Sequence, residues 1–462
     1  MLNKQSNAAK LVATLVFLLI IVLVQTAMSY VYGPSLFHAI VSVVIITIAL
    51  YLILTLDTQY FLISFLLLFG SLSVTVSCLI IEAGAYMIEV QEQGYITGAT
   101  TRYALYALIF HLGAYILYAL FRRGNNLLSP SIEFKPNPKI IIGFYILLLS
   151  IVVVLLGIII VYGSPLTLGM NRTRYWKSVA PPGTMYLNSF LPQLSLVSGI
   201  FLTQIRQIPY RKVVYYIFSL TLLTQILQGE KFSGLVLSSY FFLLPTLFFR
   251  YRLSNLIVTT SLLFKSLLLI TVAMIIVLIN YALLLGDPLL ALILIGNRIS
   301  LQGQVWWATD RLIGIDFTSI NFIVHQTLGF GASEYNRGLN YLTNLIAPSI
   351  SHFYFDSGSR FTAGYPSILL LGTGYLYGVP LVLLSGGLMG GVFYILNLVI
   401  ARKKVLFTII GLKLFFAMYL AFSMGDLYLI FSLKFIIFII FSVLFFYLDI
   451  IIIRNKKTNI TL

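Results

Sequence analysis

The chain has 462 residues, of which 60% are hydrophobic and only 9% are charged. Soluble globular proteins carry about 25% charged residues, so this composition excludes a soluble domain. The net charge of +16 would suggest a nucleic-acid partner in a soluble protein. In membrane proteins, however, Lys and Arg accumulate in cytoplasmic loops, so no nucleic acid is expected. The single cysteine, Cys78, excludes an intrachain disulfide.

Apolar runs of about 20 residues recur along the chain, and this is the length that a helix needs to cross a membrane. Strands of a barrel would be about ten residues long and alternating. We therefore expect an all-α, polytopic integral membrane protein. The tenth span is long, which predicts a tilt or a break. The twelve predicted spans are roughly 11–31, 35–55, 60–82, 103–121, 140–162, 185–204, 213–228, 232–249, 264–285, 366–398, 405–423 and 428–450.

The basic residues indicate the orientation. When both termini are placed in the cytoplasm, 17 of the 29 basic residues fall in inner segments, as the positive-inside rule requires. The chain then divides into three parts. These are nine helices with a third outer loop at 163–184 (1–285), a long outer loop with short helices (286–365) and three final helices (366–462).

Two outer loops break the positive-inside rule. One explanation is salt bridging to the acids of the long loop, or contact with lipid headgroups. The other is an anion site, because a planar guanidinium group binds two oxygens of a phosphate or pyrophosphate at once. The basic residues concerned are Arg172, Arg174 and Lys177 in the third loop and Arg298, Arg311, Arg337 and Arg360 in the long loop.

The long loop begins with residues 289–313, which predict a helix. Arg298 and Gln302 fall on one stripe of this helix and would offer a cation and an amide to a ligand. Trp306 and Trp307 suit anchoring at the membrane interface, with stacking on a sugar as the alternative.

A second group of polar residues precedes the tenth span. His352, Asp356 and Arg360 lie within nine residues, beside a helix start that would itself favour anions. His352, like His325, could instead be a hydrogen-bonded structural residue. The turn 423–426 would cap this site. No HExxH, GxSxG or Walker motif and no Cys/His metal spacing occurs, so neither a metal nor a cofactor is expected.

Two further expectations concern charged residues elsewhere. The outer loop 83–101 and its flanks, with acids at 82, 89 and 92 and with Arg102, predict an ordinary solvated cap. Lys265, Lys413 and Lys434 fall in or beside predicted spans. A lysine near a helix end, such as Lys265, can reach the surface, so Lys413 and Lys434 are the candidate charged groups inside spans.

These features resemble the Wzy-type O-antigen (oligosaccharide repeat-unit) polymerases of Gram-negative inner membranes, over nearly the whole chain at the level of topology. Such polymerases have many spans and two arginine-rich periplasmic loops, the third and the fifth, as here. Their Arg-x10-Gly motif is matched by Arg172 to Gly183 and has no match in the fifth loop. The stretches GNRISLQGQVWW and GYPSILLLGTGYLYG also look similar to polymerases of this kind.

The resemblance implies a metal-independent glycosyltransferase with a GT-C-like plan that acts at the periplasmic face. A hydroxyl of one undecaprenyl-pyrophosphate-linked oligosaccharide would attack the anomeric carbon of another, and undecaprenyl pyrophosphate would leave. Membrane lipids and a chain-length regulator protein would be further partners. The expected catalytic residues are His352, Asp356, Arg298 and Arg360, and the expected pyrophosphate-binding residues are Arg172, Arg174, Lys177, Arg311, Arg337 and Gln302.

Three alternatives stay open. An O-antigen ligase has the same plan and transfers to lipid A-core. A flippase of lipid-linked sugar also has many spans, but it would bury its arginines in a cavity among them. A classical GT-C enzyme with an acidic first outer loop is disfavoured, because the first loop here is only residues 32–35.

Overall fold

The structure is a computed structural model. Its described residues are 2–124, 138–165, 167–170, 172–205, 208–230, 232–250, 287–290, 299–357, 360–402 and 405–444, with single positions at 275, 278, 282 and 297. Three expectations fall elsewhere: most of the ninth span (264–285), Arg298, and the side chain of Asp356 all lie outside what is described.

Seven of the described helices are long and apolar enough to cross a membrane, so the chain is an all-α, membrane-embedded protein. The helix is the form in which an isolated span satisfies its own backbone groups in lipid. These helices are α1 (Leu2–Tyr32), α2 (Leu36–Leu56), α3 (Thr58–Glu82), α4 (Ala99–Gly124), α5 (Pro138–Tyr162), α7 (Thr184–Leu202) and α14 (Ser367–Arg402).

The other elements are shorter or less apolar. Eleven of the predicted spans coincide with described helices, although only seven of those helices reach spanning length and hydropathy. The remaining helices are α6 (Arg172–Ser178), α8 (Ile208–Leu227), α9 (Phe232–Arg250), α10 (Gln304–Asp310), α11 (Ile320–Phe322), α12 (Gly338–Ile346), α13 (Pro348–Ser357), α15 (Val405–Met424) and α16 (Leu433–Leu444). A π-helical turn (Ile323–Thr327), two 3-10 turns (Glu334–Asn336 and Leu427–Phe431) and a small hairpin of β1 (Tyr86–Met87) and β2 (Glu92–Gln93) complete the elements.

At each end of the antiparallel pair α3–α4, a carboxylate joins the two helices by hydrogen bonds. At one end, Asp57 caps α3 by accepting from the Tyr60 N–H (3.2 Å) and also accepts from Arg122 Nη1 of α4 (2.8 Å). At the other end, the buried Glu82 accepts backbone N–H groups of the first turn of α4, including Ala99 N (2.9 Å). An acid at a helix N-terminus satisfies otherwise unpaired donors. We call the end of the bundle that carries Glu82 the loop end.

The centre of the bundle is a glycine seam between α4 and α14. A Cβ on Gly386 would overlap the carbonyl oxygen of Phe110, and a Cβ on Gly390 would overlap that of Ala114. Gly113 of α4 makes an equally close approach from the other side. Small residues let two helices pack backbone to backbone in a membrane, where packing replaces the hydrophobic effect as the driving force.

Candidate functional site

The long loop is joined to the bundle at a break in α14. Gly374 has φ +68° inside this helix, a conformation that favours glycine. The backbone groups that the break frees find partners in the loop. Tyr375 N donates to Gly314 O (2.9 Å), and Gly372 O accepts from Thr318 N (3.1 Å). Of the tilt or break predicted for the tenth span, the structure thus shows a break, and the loop replaces the missing helical hydrogen bonds.

A buried ion pair fixes the same region from the side of α4. Arg102 donates to both oxygens of Asp310 in α10, with Nε 2.9 Å from Oδ1, and its Nη2 also donates to Thr97 O (2.8 Å). The Tyr375 hydroxyl donates to Asp310 Oδ1 (2.6 Å). The Asp310 side chain has no exposed surface. Burial raises the pKa of the Asp310 carboxyl, and the neighbouring Arg102 opposes that rise.

The expectation of a solvated cap at 83–101 is therefore wrong. Glu82 is buried in the first turn of α4, and Arg102 is buried against Asp310. Glu89 accepts from the side chains of Gln304 and Tyr354, so it also bonds to the long loop. The charges of this segment hold the loop and the bundle together.

The group with the most varied chemistry is an outer charged cluster of Glu334, Arg337, Arg360, Asp426 and Tyr428. Arg360 Nη1 donates to Asp426 Oδ2 (2.8 Å), and its Nη2 lies 3.8 Å from Glu334 Oε1. Arg337 Cζ stacks 4.3 Å from the centroid of the Tyr428 ring. The Asp426 side chain is 4% exposed and the Arg360 side chain 39%, so the carboxylate is buried beneath a half-open guanidinium group.

Glycines bring the backbone around Asp426. Gly338 has φ +55°, and a Cβ there would lie 2.7 Å from Asp426 Oδ1. The next N–H, that of Leu339, donates to the same oxygen (3.3 Å). Gly425 and Gly364 touch backbone to backbone, since a Cβ on Gly425 would lie 2.7 Å from the carbonyl carbon of Gly364. The start of α12, the segment before α14 and the end of α15 therefore meet at one carboxylate.

The charged groups of the cluster differ in how they are paired: Asp426 has a cationic partner, whereas Arg337 has no carboxylate partner among the described residues. Burial raises the pKa of the Asp426 carboxyl, and the positive charges of Arg360 and Arg337 oppose the rise. Within the described residues no carboxylate lies within 4 Å of the Arg337 guanidinium, and its buried Nε has no hydrogen-bond partner. Arg337 thus keeps unused donors beside a carboxylate that burial makes a stronger proton acceptor. This arrangement can hold an anion and can accept a proton.

The histidines differ in how they are held. His352 is exposed on α13. His325 is also exposed, and its Nδ1 donates to Phe330 O, because a carbonyl oxygen can only accept. The Nε2 of a neutral ring then carries the free lone pair. Phe330 packs on Phe431 with 5.7 Å between ring centroids, so this loop adjoins the 3-10 turn that carries Tyr428.

Of the three basic residues of the third loop, one forms an ion pair with a described carboxylate and two do not. Arg172 forms an ion pair with Glu230, which also accepts from Asn188 Nδ2 of α7 (3.2 Å). Arg174 and Lys177 are exposed, and neither has a carboxylate within 4 Å in the described part of the chain. Arg172 is thus neutralised by an acid, but by Glu230 and not by an acid of the long loop as the salt-bridge explanation expected, and the other two residues stay open to an anion.

The predicted helix 289–313 is wrong in its central part. A turn at residues 301–303 separates Gln302 from α10, so Gln302 does not continue a stripe along one helix. Gly303 causes the turn by packing on α3, where its N–H donates to Ser77 Oγ (2.7 Å) and a Cβ would lie 2.8 Å from Ser77 Oγ. Arg311, at the other end of α10, forms a two-pronged salt bridge with Glu92 (2.6 Å to each oxygen).

Both tryptophans of α10 are core residues. Trp306 and Trp307 are fully buried, and their indole N–H groups donate to Ala99 O (2.8 Å) and Tyr95 O (3.2 Å). Neither ring reaches lipid headgroups or a sugar, so both sequence-based interpretations of these residues are wrong. Their apolar bodies and polar tips instead fix α10 against the start of α4.

Sequence reasoning found part of the cluster. It assigned Arg360 and Arg337 to anion binding and expected the turn 423–426 to cap the site, and the structure places Asp426 of that turn on Arg360. Asp426 was named only as part of that turn, without a role of its own, and Tyr428 was not singled out. The available signal was one acid that ends an otherwise acid-free helix, beside a glycine.

Comparison with known proteins gives one match. Residues 332–439 match a family of unknown function (DUF6418), which is less than a quarter of the chain. No curated protein and no solved structure matches the chain. The matched segment contains all five residues of the outer charged cluster, as well as the break in α14 and all of α15.

Proposed function

We propose that this membrane protein is an O-antigen polymerase, which joins undecaprenyl-pyrophosphate-linked oligosaccharides at the periplasmic face of the inner membrane. The observation that carries the proposal is that Arg337 and Arg360 meet around one buried carboxylate, Asp426. Guanidinium groups suit a pyrophosphate leaving group, and a buried carboxyl with a raised pKa suits a general base. Twelve spans and a GT-C-like plan belong to the same proposal.

The proposed reaction divides its steps among these residues. Arg337 uses its free donors to bind the pyrophosphate of the donor substrate, and Arg360 turns from Asp426 to the same oxygens. Asp426, released from its ion pair, takes the proton of the acceptor hydroxyl. The hydroxyl oxygen forms a bond to the anomeric carbon as the bond from that carbon to the pyrophosphate oxygen breaks. The leaving group departs with the electron pair, and the two guanidinium groups stabilise its charge.

Other residues keep proposed roles that the same experiments test. Arg174 and Lys177 would attract the second lipid-linked substrate to the third loop, because both are exposed and unpaired by any described carboxylate. His352 stays a candidate base, since it is exposed on α13. His325 is the second histidine to compare, because its Nδ1 hydrogen bond leaves Nε2 free to accept a proton.

The direct test is polymerisation of a purified lipid-linked repeat unit by the full-length protein in detergent. Asp426→Asn keeps the shape of the side chain and removes the base, so the rate should fall by about 10²–10⁴-fold. Arg337→Gln should raise KM for the substrate, because it removes a cation from the binding site. Arg123→Gln, an exposed residue at the opposite end of α4, serves as the control. Wild-type chain ladders from Asp426→Asn would refute the site.

A deletion strain separates the proposal from its alternatives. Lipopolysaccharide capped with a single repeat unit indicates a polymerase. Complete loss of O-antigen indicates a ligase or a flippase and would overturn the proposed function. Complementation by Arg360→Lys adds a geometric test, because lysine keeps the charge and loses the planar fork. Under the proposal this variant gives short chains.

A further inference from the structure

A lysine lies deep inside the membrane-embedded part of the chain. Lys413 is the ninth residue of α15, and at 1.5 Å per residue it lies about 16 Å along the helix from Met424 at the loop end. Its Nζ sits 4.1 Å from the centroid of the Phe190 ring. Phe190 is the seventh residue of α7, about 9 Å along that helix from its start. The ammonium group therefore lies below the surface, near the middle of α15 and beside the loop-end half of α7.

The protein gives this cation no counter-ion among the described residues. The described helices that pack against α15 include α3, α4, α7, α9 and α14. Their sequences, and that of α15, contain one acid, Glu82. Glu82 is already bound by backbone N–H groups at the start of α4. Asp426, just beyond α15, is bound by Arg360. Lys413 has only the face of an aromatic ring, which attracts a cation without neutralising it.

The seam between α7 and α15 is open to lipid. Phe190 is 38% exposed and Lys413 is partly exposed, so both side chains reach the surface of the helix bundle between α7 and α15. An unpaired lysine at this depth costs free energy, and intramembrane cations in proteins usually pair with an anionic or polar group. The anionic group that phospholipids and lipid-linked sugars share, and that can pair with an ammonium ion, is a phosphate. The long lysine side chain also reaches toward the headgroup level, as lysines in spans do.

We propose that Lys413 and Phe190 form a binding site for the phosphate of a lipid, at the seam between α7 and α15. The phosphate accepts hydrogen bonds from the ammonium group, Phe190 holds the side chain in place, and the acyl or isoprenoid chains lie along the exposed face of α7. A phospholipid headgroup and the pyrophosphate of a lipid-linked sugar share this chemistry. In its general form the site is independent of the polymerase proposal, and only its second possible ligand rests on that proposal.

Lipid binding to the full-length protein in phosphatidylcholine nanodiscs tests the site, with fluorescent phosphatidylglycerol and a fluorescent polyprenyl pyrophosphate as probes. Lys413→Met should weaken binding of at least one probe by about tenfold, the loss expected for one charge-assisted contact. Phe190→Leu should weaken it by a smaller factor, and Lys413→Arg should retain it. Lys434→Met is the matched control, because Lys434 is exposed in the first turn of α16.

Each possible result of this experiment either supports or overturns the proposed lipid-phosphate site. Loss confined to phosphatidylglycerol identifies a headgroup site, and loss of the pyrophosphate probe identifies a substrate site. Wild-type binding of both probes by Lys413→Met, or an equal loss in Lys434→Met, overturns the proposal. If Lys413→Met does not fold, equal binding by Phe190→Leu and wild type overturns it instead. No step requires turnover, so a failed polymerase assay and a failed lipid site are distinguishable.

Discussion

Asp310 and Arg311 are neighbours in sequence and form two salt bridges of opposite kinds. The Asp310 side chain is fully buried, and its partner Arg102 is 12% exposed. Arg311 and Glu92 are 38% and 30% exposed. Breaking a buried pair by removing one partner costs about 3–5 kcal/mol, because the remaining charge is left without compensation. Breaking an exposed pair costs about 0–1 kcal/mol, since water replaces the partner.

Asp310→Ala should therefore destabilise the protein by about 3–5 kcal/mol and Arg311→Ala by about 1 kcal/mol or less. Asp310→Ala also removes the acceptor of the Tyr375 hydroxyl, next to the break in α14. The double variant Arg102→Leu/Asp310→Leu should recover much of the loss, because two apolar side chains leave no buried charge.

The assay is reversible unfolding of the purified protein in mixed detergent micelles, with the folded fraction measured by size-exclusion chromatography. A double-mutant cycle over Arg102 and Asp310 gives the coupling between the two side chains. Equal stabilities of Asp310→Ala and Arg311→Ala would refute the reasoning, because they would show that the burial of this pair has no energetic consequence.

Three further predictions concern pH, packing and metals. In Arg102→Leu the pKa of Asp310, already raised by burial, rises further, and a carboxyl with a raised pKa contributes stability that is lost as the pH increases. The stability of Arg102→Leu should therefore recover in acid. The stability of Asp310→Ala should not recover, because the remaining arginine stays protonated. Gly386→Leu should prevent folding, since its Cβ would overlap Phe110 O, whereas Gly387→Ala, with no atom nearer than 3.7 Å to its Cβ, should be tolerated in expression and thermal-shift measurements. Polymerisation should survive EDTA, because no group of three metal-ligating side chains occurs among the described residues; activity that EDTA removes and one divalent ion restores would contradict this.

The seven described helices of spanning length were predictable because each apolar run carries its own signal. A run of about 20 apolar residues must form a helix in lipid whatever surrounds it. The length of the tenth span predicted a tilt or a break, and the break at Gly374 is the one of these two that the structure shows. The site was less predictable because its partners are far apart along the chain. Arg102 and Asp310 are separated by 208 residues, and Arg360 and Asp426 by 66.

The failure at residues 289–313 has a different cause. The helical pattern there is real, but Gly303 approaches α3 so closely that the chain turns at that point. Periodicity describes one helix against a uniform environment and carries no information about such a contact. Burial of Trp306 was hidden for the same reason, because its partner, Ala99 O, belongs to a backbone 207 residues away.

For identifying an anion site, the positions of the unpaired cations are more informative than their number. Acids from distant segments neutralise Arg172, Arg311 and Arg360, so a simple excess of positive charge does not identify an anion site. Arg337 keeps free donors beside Asp426, and Lys413, eleven residues before the end of α15, has an aromatic ring and no described carboxylate beside it. One helix thus carries a lysine within its length and ends beside a buried carboxylate, Asp426. Under the two proposals made above, the phosphate held by Lys413 and the carboxylate of Asp426 would belong to one substrate path along α15.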